Sequence, residues 1–368
     1  MSAILMVTGV VAGGVGRHVE QLTRSLVGLG HTVLVACPDV VASHFGLVEA
    51  GAQHVALEVG SRPSPHRDRR STAVLREAMR EVDVVHAHGV RAGALATMAR
   101  DGERPGLVVT LHNAAPEGRL AAVVHRGLER MACRGADLVL GVSADLVADA
   151  WERGAADVAL AVVPAVRATP QQDRGQVREA LGLADSTLLV VAVGRLAPQK
   201  GFDRLLDALV AAGTTSDDAL VAIAGDGPQA QALQRRIDRA GLPVRLLGHR
   251  SDVPDLLAAA DVAVSAARWE GQPVWLQEAL SVGLPIVATD VGGTEQVLDG
   301  AAVLVPADNP DALGAALTAL LVDEGLRDDL RARALARAAV LPTEEDAAQA
   351  ALEAYRRAVS AAAVRDVD

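Results

Sequence analysis

Lys200 is the only lysine in a chain with 34 arginines, and it stands in Val193-Gly194-Arg195-Leu196-Ala197-Pro198-Gln199-Lys200-Gly201. Where any surface cation suffices, so strong a preference would supply arginine; one retained lysine points to a need for a compact ammonium. Arg195 by its fork and Lys200 as a point charge could clamp a diphosphate. The segment departs from an ATP-binding Walker loop, with Gln199 at its glycine position and Gly201 at its Ser/Thr position, which excludes ATPase chemistry.

Two carboxylates follow in Ser265-Ala266-Ala267-Arg268-Trp269-Glu270-Gly271-Gln272-Pro273-Val274-Trp275-Leu276-Gln277-Glu278. Pro273 suits the first turn of a helix and Gly283 its end, so Glu270 is expected on a loop and Glu278 inside the helix. A retaining hydrolase would hold its carboxylates ~5 Å apart, whereas eight helical residues rise ~12 Å. The two acids therefore suit separate parts of one extended ligand, each accepting from hydroxyl pairs such as those of a sugar or a ribose. Near the start, Ala12-Gly13-Gly14-Val15-Gly16-Arg17 joins an apolar run to an amphipathic stretch. Its glycines would let backbone N–H groups approach a phosphate, or simply make a tight turn. The third glycine of a dinucleotide fingerprint is missing, which disfavours a nicotinamide dehydrogenase.

Elements must hold these segments. Apolar runs, expected as strands, lie near 3–8, 32–37, 54–58, 82–86, 106–111, 137–142 and 159–163, then near 187–193, 219–224, 244–247, 261–265, 284–288 and 301–305. Most do not alternate, as parallel strands covered on both faces require. Helical patterns such as Val15–Leu29, Leu120–Cys133, Phe202–Ala212 and Asp311–Leu321 fill the gaps. The result is an α/β chain of two Rossmann-like, doubly wound domains, 1–165 and 172–343, with a break around Pro164–Gly175. A last helical stretch, within 344–368, is expected to pack back across the junction. Ligands of open parallel sheets bind beyond the carboxyl ends of strands, so the two domains are expected to face one another across a cleft.

Composition excludes several classes. The net charge of -11 argues against nucleic acid, and six Phe, Tyr and Trp side chains in 368 residues make no stacking surface. Residues 1–170 hold 17 basic and 17 acidic side chains, leaving 18 and 29 in the rest, so the acidic excess lies in the second half. Two cysteines, Cys37 and Cys133, cannot build a disulfide framework and suit a reducing, cytoplasmic setting. No apolar run reaches the ~20 residues of a membrane span. The run Ile4–Val11 lacks a positively charged lead and fits a first strand better than a secretion signal.

The ordered set formed by Gly-Gly-Val-Gly-Arg, Gly194–Gly201, Ala224-Gly225-Asp226-Gly227-Pro228, Leu247-Gly248-His249 and the Glu270/Glu278 pair running on to Gly283 and Pro285 resembles family-4 retaining glycosyltransferases of the GT-B fold, over roughly residues 4–305. The resemblance implies transfer from a nucleotide-diphosphate sugar with retention, by front-face attack in which the leaving phosphate helps deprotonate the acceptor. It implies that Glu278 binds the ribose and Glu270, with Gly271, Gln272 and Val274, the donor sugar. Arg195, Lys200 and the Gly14–Gly16 loop would hold the diphosphate, and the backbone around Gly248 would read the base. His112, in Val109-Thr110-Leu111-His112-Asn113, matches the family's active-site histidine. Arg195, Lys200 and backbone N–H groups would stabilise the charge developing on the leaving phosphate, so neither metal nor other cofactor is expected. The chain's Asp-x-Asp is Asp366-Val367-Asp368, at the last residues. Two departures stand out. Pro164-Ala165-Val166-Arg167 lacks the usual Asn-Gly, which bears on acceptor-side geometry, and Gln272 in Gly271-Gln272-Pro273-Val274 could add a hydroxyl contact to the donor sugar.

The same residues also suit a nucleotide-sugar epimerase or a sucrose- or trehalose-type synthase on the same scaffold, or a non-catalytic nucleotide-sugar-binding partner. The acceptor could be a small molecule, a glycan or a lipid-linked sugar. His86 and His88 in His-Ala-His-Gly are expected at a strand end where they could touch acceptor or sugar. Residues 62–134 carry 13 arginines against 8 acids, with Arg67, Arg69 and Arg70 clustered, and could meet an anionic acceptor or membrane surface, or stay solvated.

Overall fold

The computed structural model describes residues 1–10, 13–60, 63–102, 104–113, 119–184, 186–215 and 219–365. The chain divides into two compact units, one formed by Met1–Pro164 with Pro342–Asp368, the other by Ala165–Leu341.

The first unit alternates β1 (Ala3–Thr8), α1 (Gly14–Gly28), β2 (Thr32–Cys37), α2 (Asp39–His44), β3 (Gln53–Ala56), α3 (Pro65–Ala78), β4 (Val84–His88), α4 (Val90–Ala99), β5 (Gly106–Leu111), α5 (Arg119–Gly135), β6 (Leu138–Gly141), α6 (Ala144–Glu152) and β7 (Val158–Leu160). Its sheet is parallel, in the order β3-β2-β1-β4-β5-β6-β7. Ile4, Leu5, Met6 and Val7 are all fully buried, the non-alternating pattern of a strand covered on both faces. On one face α3, α4, α5 and α6 pack side by side in that order.

The second unit runs α7 (Arg174–Ala180), β8 (Leu188–Val193), α8 (Phe202–Ala212), β9 (Ala219–Ala224), α9 (Ala230–Ala240), β10 (Val244–Gly248), α10 (Val253–Ala259), β11 (Val262–Ser265), α11 (Val274–Ser281), β12 (Ile286–Asp290), α12 (Thr294–Leu298), β13 (Val303–Pro306), α13 (Pro310–Val322) and α14 (Glu324–Val340). Its parallel sheet has the order β10-β9-β8-β11-β12-β13. Helix starts are locally encoded. Asp173 and Gln176 form a reciprocal capping box at α7, and the side chain of Asn309 accepts from the Ala312 N–H with Pro310 as the first helical residue of α13.

The last helix, α15 (Glu344–Arg365), belongs to the first unit: it packs on β4, β5 and β6 and against α1. A Cβ at Gly106 of β5 would lie 2.9 Å from the α15 backbone at Ala358, so this glycine sets how closely helix and strand approach. Residues 165–172, which the sequence suggests as a joining segment, are tied to the second unit. The Val166 N–H donates to Gln277 Oε1 (3.3 Å), the Ala168 N–H to Ser281 Oγ (2.9 Å) and the Gln172 N–H to Asp255 Oδ1 (3.0 Å).

Strand order places each candidate site. It reverses beside β1 in the first sheet, between β1 and β4, and beside β8 in the second, between β8 and β11. At such a reversal neighbouring connections leave toward opposite faces, opening a crevice at the carboxyl ends of the two strands.

Candidate functional site

Lys200 and Glu270 sit on the connections that follow β8 and β11, the two strands flanking the reversal in the second sheet. Although 70 residues apart in sequence, Lys200 Nζ lies 2.5 Å from Glu270 Oε1. The two connections are stitched along their length. The Arg268 N–H donates to the Gln199 carbonyl (2.8 Å) and Gln199 Nε2 to the Trp269 carbonyl (3.1 Å). Gly201 makes the close approach possible: its φ is +62°, and a Cβ there would stand 1.9 Å from the Ala266 carbonyl oxygen. The connection after β12 closes the other side. The Gly293 N–H donates to the Glu270 carbonyl (3.0 Å), and a Cβ on Gly292 would meet that same oxygen at 1.8 Å. Glu270 is only 5% exposed, so its carboxylate has traded water for one ammonium.

Gly201→Ala would force both a strained left-handed φ and a backbone collision, costing at least about 1–2 kcal/mol. Thermal unfolding should report a lowered Tm together with weakened Lys200–Glu270 chemistry; a variant as stable as wild type would contradict this reading of the loop.

The other donor-side candidates lie on the same or adjoining connections. Arg195 shares the loop of Lys200; it is exposed and makes no ion pair among the described residues. Pro273 precedes α11 as its cap residue rather than sitting in its first turn, and Val274 is the first helical residue. Glu278 lies inside the helix, half-buried between buried Gln277 and Ala279. Gly271 is buried, and Gln272 Oε1 accepts from Gln277 Nε2 (3.2 Å). The connection after β9 abuts both the Arg195 loop and the end of β10. The Leu196 N–H donates to the Asp226 carbonyl (2.9 Å), and the Gly225 N–H to the Gly248 carbonyl (2.8 Å). Gly248 itself has φ +68° at the end of β10.

In the first unit, Gly14 is the first residue of α1, after Gly13 with φ +58°. The early N–H groups of such a helix have no carbonyl partner within it. Gly16 has a packing reason of its own: a Cβ would come within 2.1 Å of the Phe45 ring. Ala12 of this loop lies outside the described residues, as do Asp366-Val367-Asp368 and several residues within 62–134.

Beside the reversal of the first sheet, four histidines converge: His18 from α1, His86 and His88 from β4, and His112 just beyond β5. Their ring centroids are 4.1 Å (His86–His88), 5.4 Å (His88–His112), 5.7 Å (His18–His88) and 6.1 Å (His18–His112) apart. His86 corrects the expectation of an acceptor contact. It is buried, and both its nitrogens are engaged, Nδ1 with the Tyr355 hydroxyl of α15 (2.8 Å) and Nε2 with Thr110 Oγ1 (2.7 Å). His88 is equally buried, and its Nδ1 meets His112 Nε2 at 3.2 Å. Burial lowers the pKa of all four, His18 to about 4 and His86 to about 3. The rings are therefore neutral at pH 7. Sequence reasoning missed His18 and Tyr355, since no local pattern links positions 18, 86 and 355. Among the described residues no group of three or more His, Cys, Asp or Glu is arranged to hold a metal ion. Both cysteines are buried, with their thiols pushed up to about 11 (Cys37) and about 12 (Cys133), away from thiolate chemistry.

Comparison with known proteins agrees with this layout. The model of glycosyl transferases group 1 matches residues 173–337, and that of glycosyltransferase family 4 matches residues 12–165. The phosphatidyl-myo-inositol mannosyltransferase of Mycobacterium leprae is 30% identical over 345 residues, covering 86% of each chain. The lipopolysaccharide core biosynthesis mannosyltransferase LpsB of Rhizobium meliloti is 31% identical over 182 residues, 46% of this chain and 52% of that protein. The crystal structure of Anabaena HepE in complex with UDP and glucose aligns with a TM-score of 0.80, at 21% identity, over 97% of this chain and all of that one, a likeness of fold. Two Rossmann-like units of the GT-B type, the two matching family models and a relative aligned along most of its length place this chain in the group-1, family-4 glycosyltransferases, and it is an enzyme that transfers glycosyl groups.

Proposed function

We propose that the protein is a retaining, metal-independent transferase that takes a sugar from a nucleotide-diphosphate donor bound by the second unit. The observation that carries this reading is the Lys200–Glu270 contact at the strand-order reversal. In a sugar nucleotide the diphosphate adjoins the sugar, so a phosphate-binding ammonium and a hydroxyl-binding carboxylate must be neighbours. Arg195 shares the loop of Lys200, and Glu278, one helical turn into α11, is the acid assigned to the ribose. In this reading Lys200, Arg195 and loop N–H groups take up the charge that grows on the departing phosphate, the task a divalent metal performs elsewhere. The assignments of Gly14, Gly16 and Gly248 to donor binding, and of His112 to the transferred sugar, rest on the family resemblance.

Incubation with a panel of UDP-, GDP-, ADP- and TDP-sugars in EDTA, with products read by mass spectrometry and the anomeric signal by NMR, tests the proposal. Transfer with retained configuration supports it. An inverted product, complete loss in EDTA, or a donor of altered configuration and unchanged mass would contradict it, the last indicating epimerisation. Glu278→Ala is expected to weaken donor binding by 1.5–3 kcal/mol, roughly 10- to 150-fold, as for a lost hydrogen bond to a charged group. Calorimetric titration measures it, and an unchanged Kd would remove Glu278 from the site.

A lipid-linked acceptor fits the face formed by α3, α4 and α5. There Val74, Met98, Val123, Val124 and Met131 are exposed beside Arg69, Arg70, Arg126, Arg130 and Arg134, in a protein of net charge -11. Basic side chains add ~1 kcal/mol each at an anionic bilayer, and exposed apolar ones enter its interface. Among the described residues no helix is long and apolar enough to cross a membrane, so such contact would be peripheral. The named activities of relatives on phosphatidyl-myo-inositol and lipopolysaccharide point the same way. Flotation with anionic but not neutral liposomes is expected; absence from both would end this part of the proposal.

A further inference from the structure

The histidine cluster carries a consequence for His112, and it rests on the assignment of that residue to the donor sugar. We infer that His88 is a positioning residue that fixes His112 as the neutral tautomer protonated on Nδ1, so that His112 presents a hydrogen-bond donor on its less buried edge.

The His88 ring is buried against His86, with centroids 4.1 Å apart, and meets His112 edge to edge, their planes only 24° apart and centroids 5.4 Å apart, with His18 edge-on. No cation or carboxylate belongs to the quartet. His88 has one polar partner, His112 Nε2, at 3.2 Å from its Nδ1, while its Nε2 is enclosed with no hydrogen-bond partner among the described residues. A neutral imidazole carries its proton on one nitrogen only. A proton on His88 Nε2 would be a buried N–H without an acceptor, whereas a bare lone pair there forfeits less; buried donors left orphaned are rare. The proton therefore resides on Nδ1, and His88 donates to His112. His112 Nε2 is then the acceptor, and the His112 proton must sit on Nδ1. His112 is only partly covered, unlike His88 and His86, so Nδ1 is the nitrogen left to meet a ligand. Which nitrogen of a histidine acts is set by the bond that the other makes. Burial keeps both rings uncharged at pH 7, so the pair does not become a cationic one.

The full-length protein, labelled with ¹⁵N-histidine, gives a direct readout in long-range ¹H–¹⁵N correlation spectra at pH 7.5. His112→Asn identifies the His112 signal among the ten histidines. The expected wild-type pattern is a protonated Nδ1 and an unprotonated Nε2, needing no variant at position 88. In His88→Ala the pattern should move toward Nε2 protonation. His88→Asn, whose amide can donate from the place of Nδ1, should restore it. Transfer kinetics should follow: kcat falls at least about tenfold in His88→Ala, as when a catalytic histidine loses its correct tautomer. The donor KM should change less than kcat, and His88→Asn should recover most of the rate. A wild-type His112 protonated on Nε2, or a tautomer indifferent to His88→Ala, would overturn the inference. Full transfer activity in His112→Asn would instead overturn the sugar-binding assignment, and the spectrum would still decide the positioning.

Discussion

Lys200→Ala is expected to lower kcat for glycosyl transfer by ~10²–10³-fold, the usual cost of removing one preorganised donor from a developing anion. The lysine holds a site that arginine, otherwise almost universal in this chain, does not occupy. Its ammonium is tied to the buried Glu270 carboxylate, so the substitution also strands a charge that is only 6% exposed at its side chain. Removing one partner of a buried ion pair costs about 3–5 kcal/mol. Stability should therefore fall with activity, and the two effects need separating. Lys200→Arg does so. It retains a cation for Glu270 and should recover much of the lost Tm, but a planar fork cannot replace a point charge in a loop closed this tightly, so kcat should stay well below wild type. Single-turnover assays beside thermal melts give both quantities. Unaltered transfer in Lys200→Ala would refute the assignment.

The second large effect is acid lability of the first unit. His18, His86, His88 and His112 all have folded pKa values below the ordinary 6.5 because burial disfavours their charged forms. The folded state thus binds fewer protons than the open chain between these values and 6.5. Their contribution is fully present above pH 6.5 and is lost as pH falls toward 4 and below. For His18 alone the loss amounts to about 3 kcal/mol by pH 4, a large share of a stability of roughly 5–15 kcal/mol. Carboxylates with lowered pKa values, such as Asp68 and Asp252, destabilise on protonation only below their ordinary value of 3.8, so the range from pH 6.5 to 5 belongs to the histidines. The chain's single tyrosine, Tyr355, is buried against His86, and its second-derivative ultraviolet absorbance, resolved from that of the three tryptophans, reports this cluster. Urea midpoints followed at that chromophore should fall between pH 7 and 5, less steeply in His18→Phe. A flat profile would contradict the burial of neutral rings.

Much of this was legible in the sequence because the signals are local. Among the described residues, thirteen strands appear within a few residues of their apolar runs, and Phe202–Ala212 is helical over that very span. The Gly194–Gly201 and Glu270–Glu278 segments announce themselves by glycine, proline and charge at short spacing. What the sequence withheld is contact at a distance. Nothing local shows that Gly201 lies under the Ala266 carbonyl, or that Lys200 and Glu270 meet. Nor does His86 betray that Tyr355, 269 residues on, will cover it. Pro273, expected in the first turn of α11, is instead its cap for a related reason: only the chain path after Glu270 fixes where the helix begins.

The most direct test of the donor site is calorimetric titration of the intact protein with the four nucleotide-sugar classes, repeated with Glu270→Gln. At least one donor should bind with one-to-one stoichiometry. Its bare nucleoside diphosphate should bind the variant almost as well as wild type, and the complete sugar nucleotide should lose its added affinity, since Glu270 is assigned to the sugar and not to the phosphates. Identical isotherms for wild type and variant, or no binding from any class, would contradict the account.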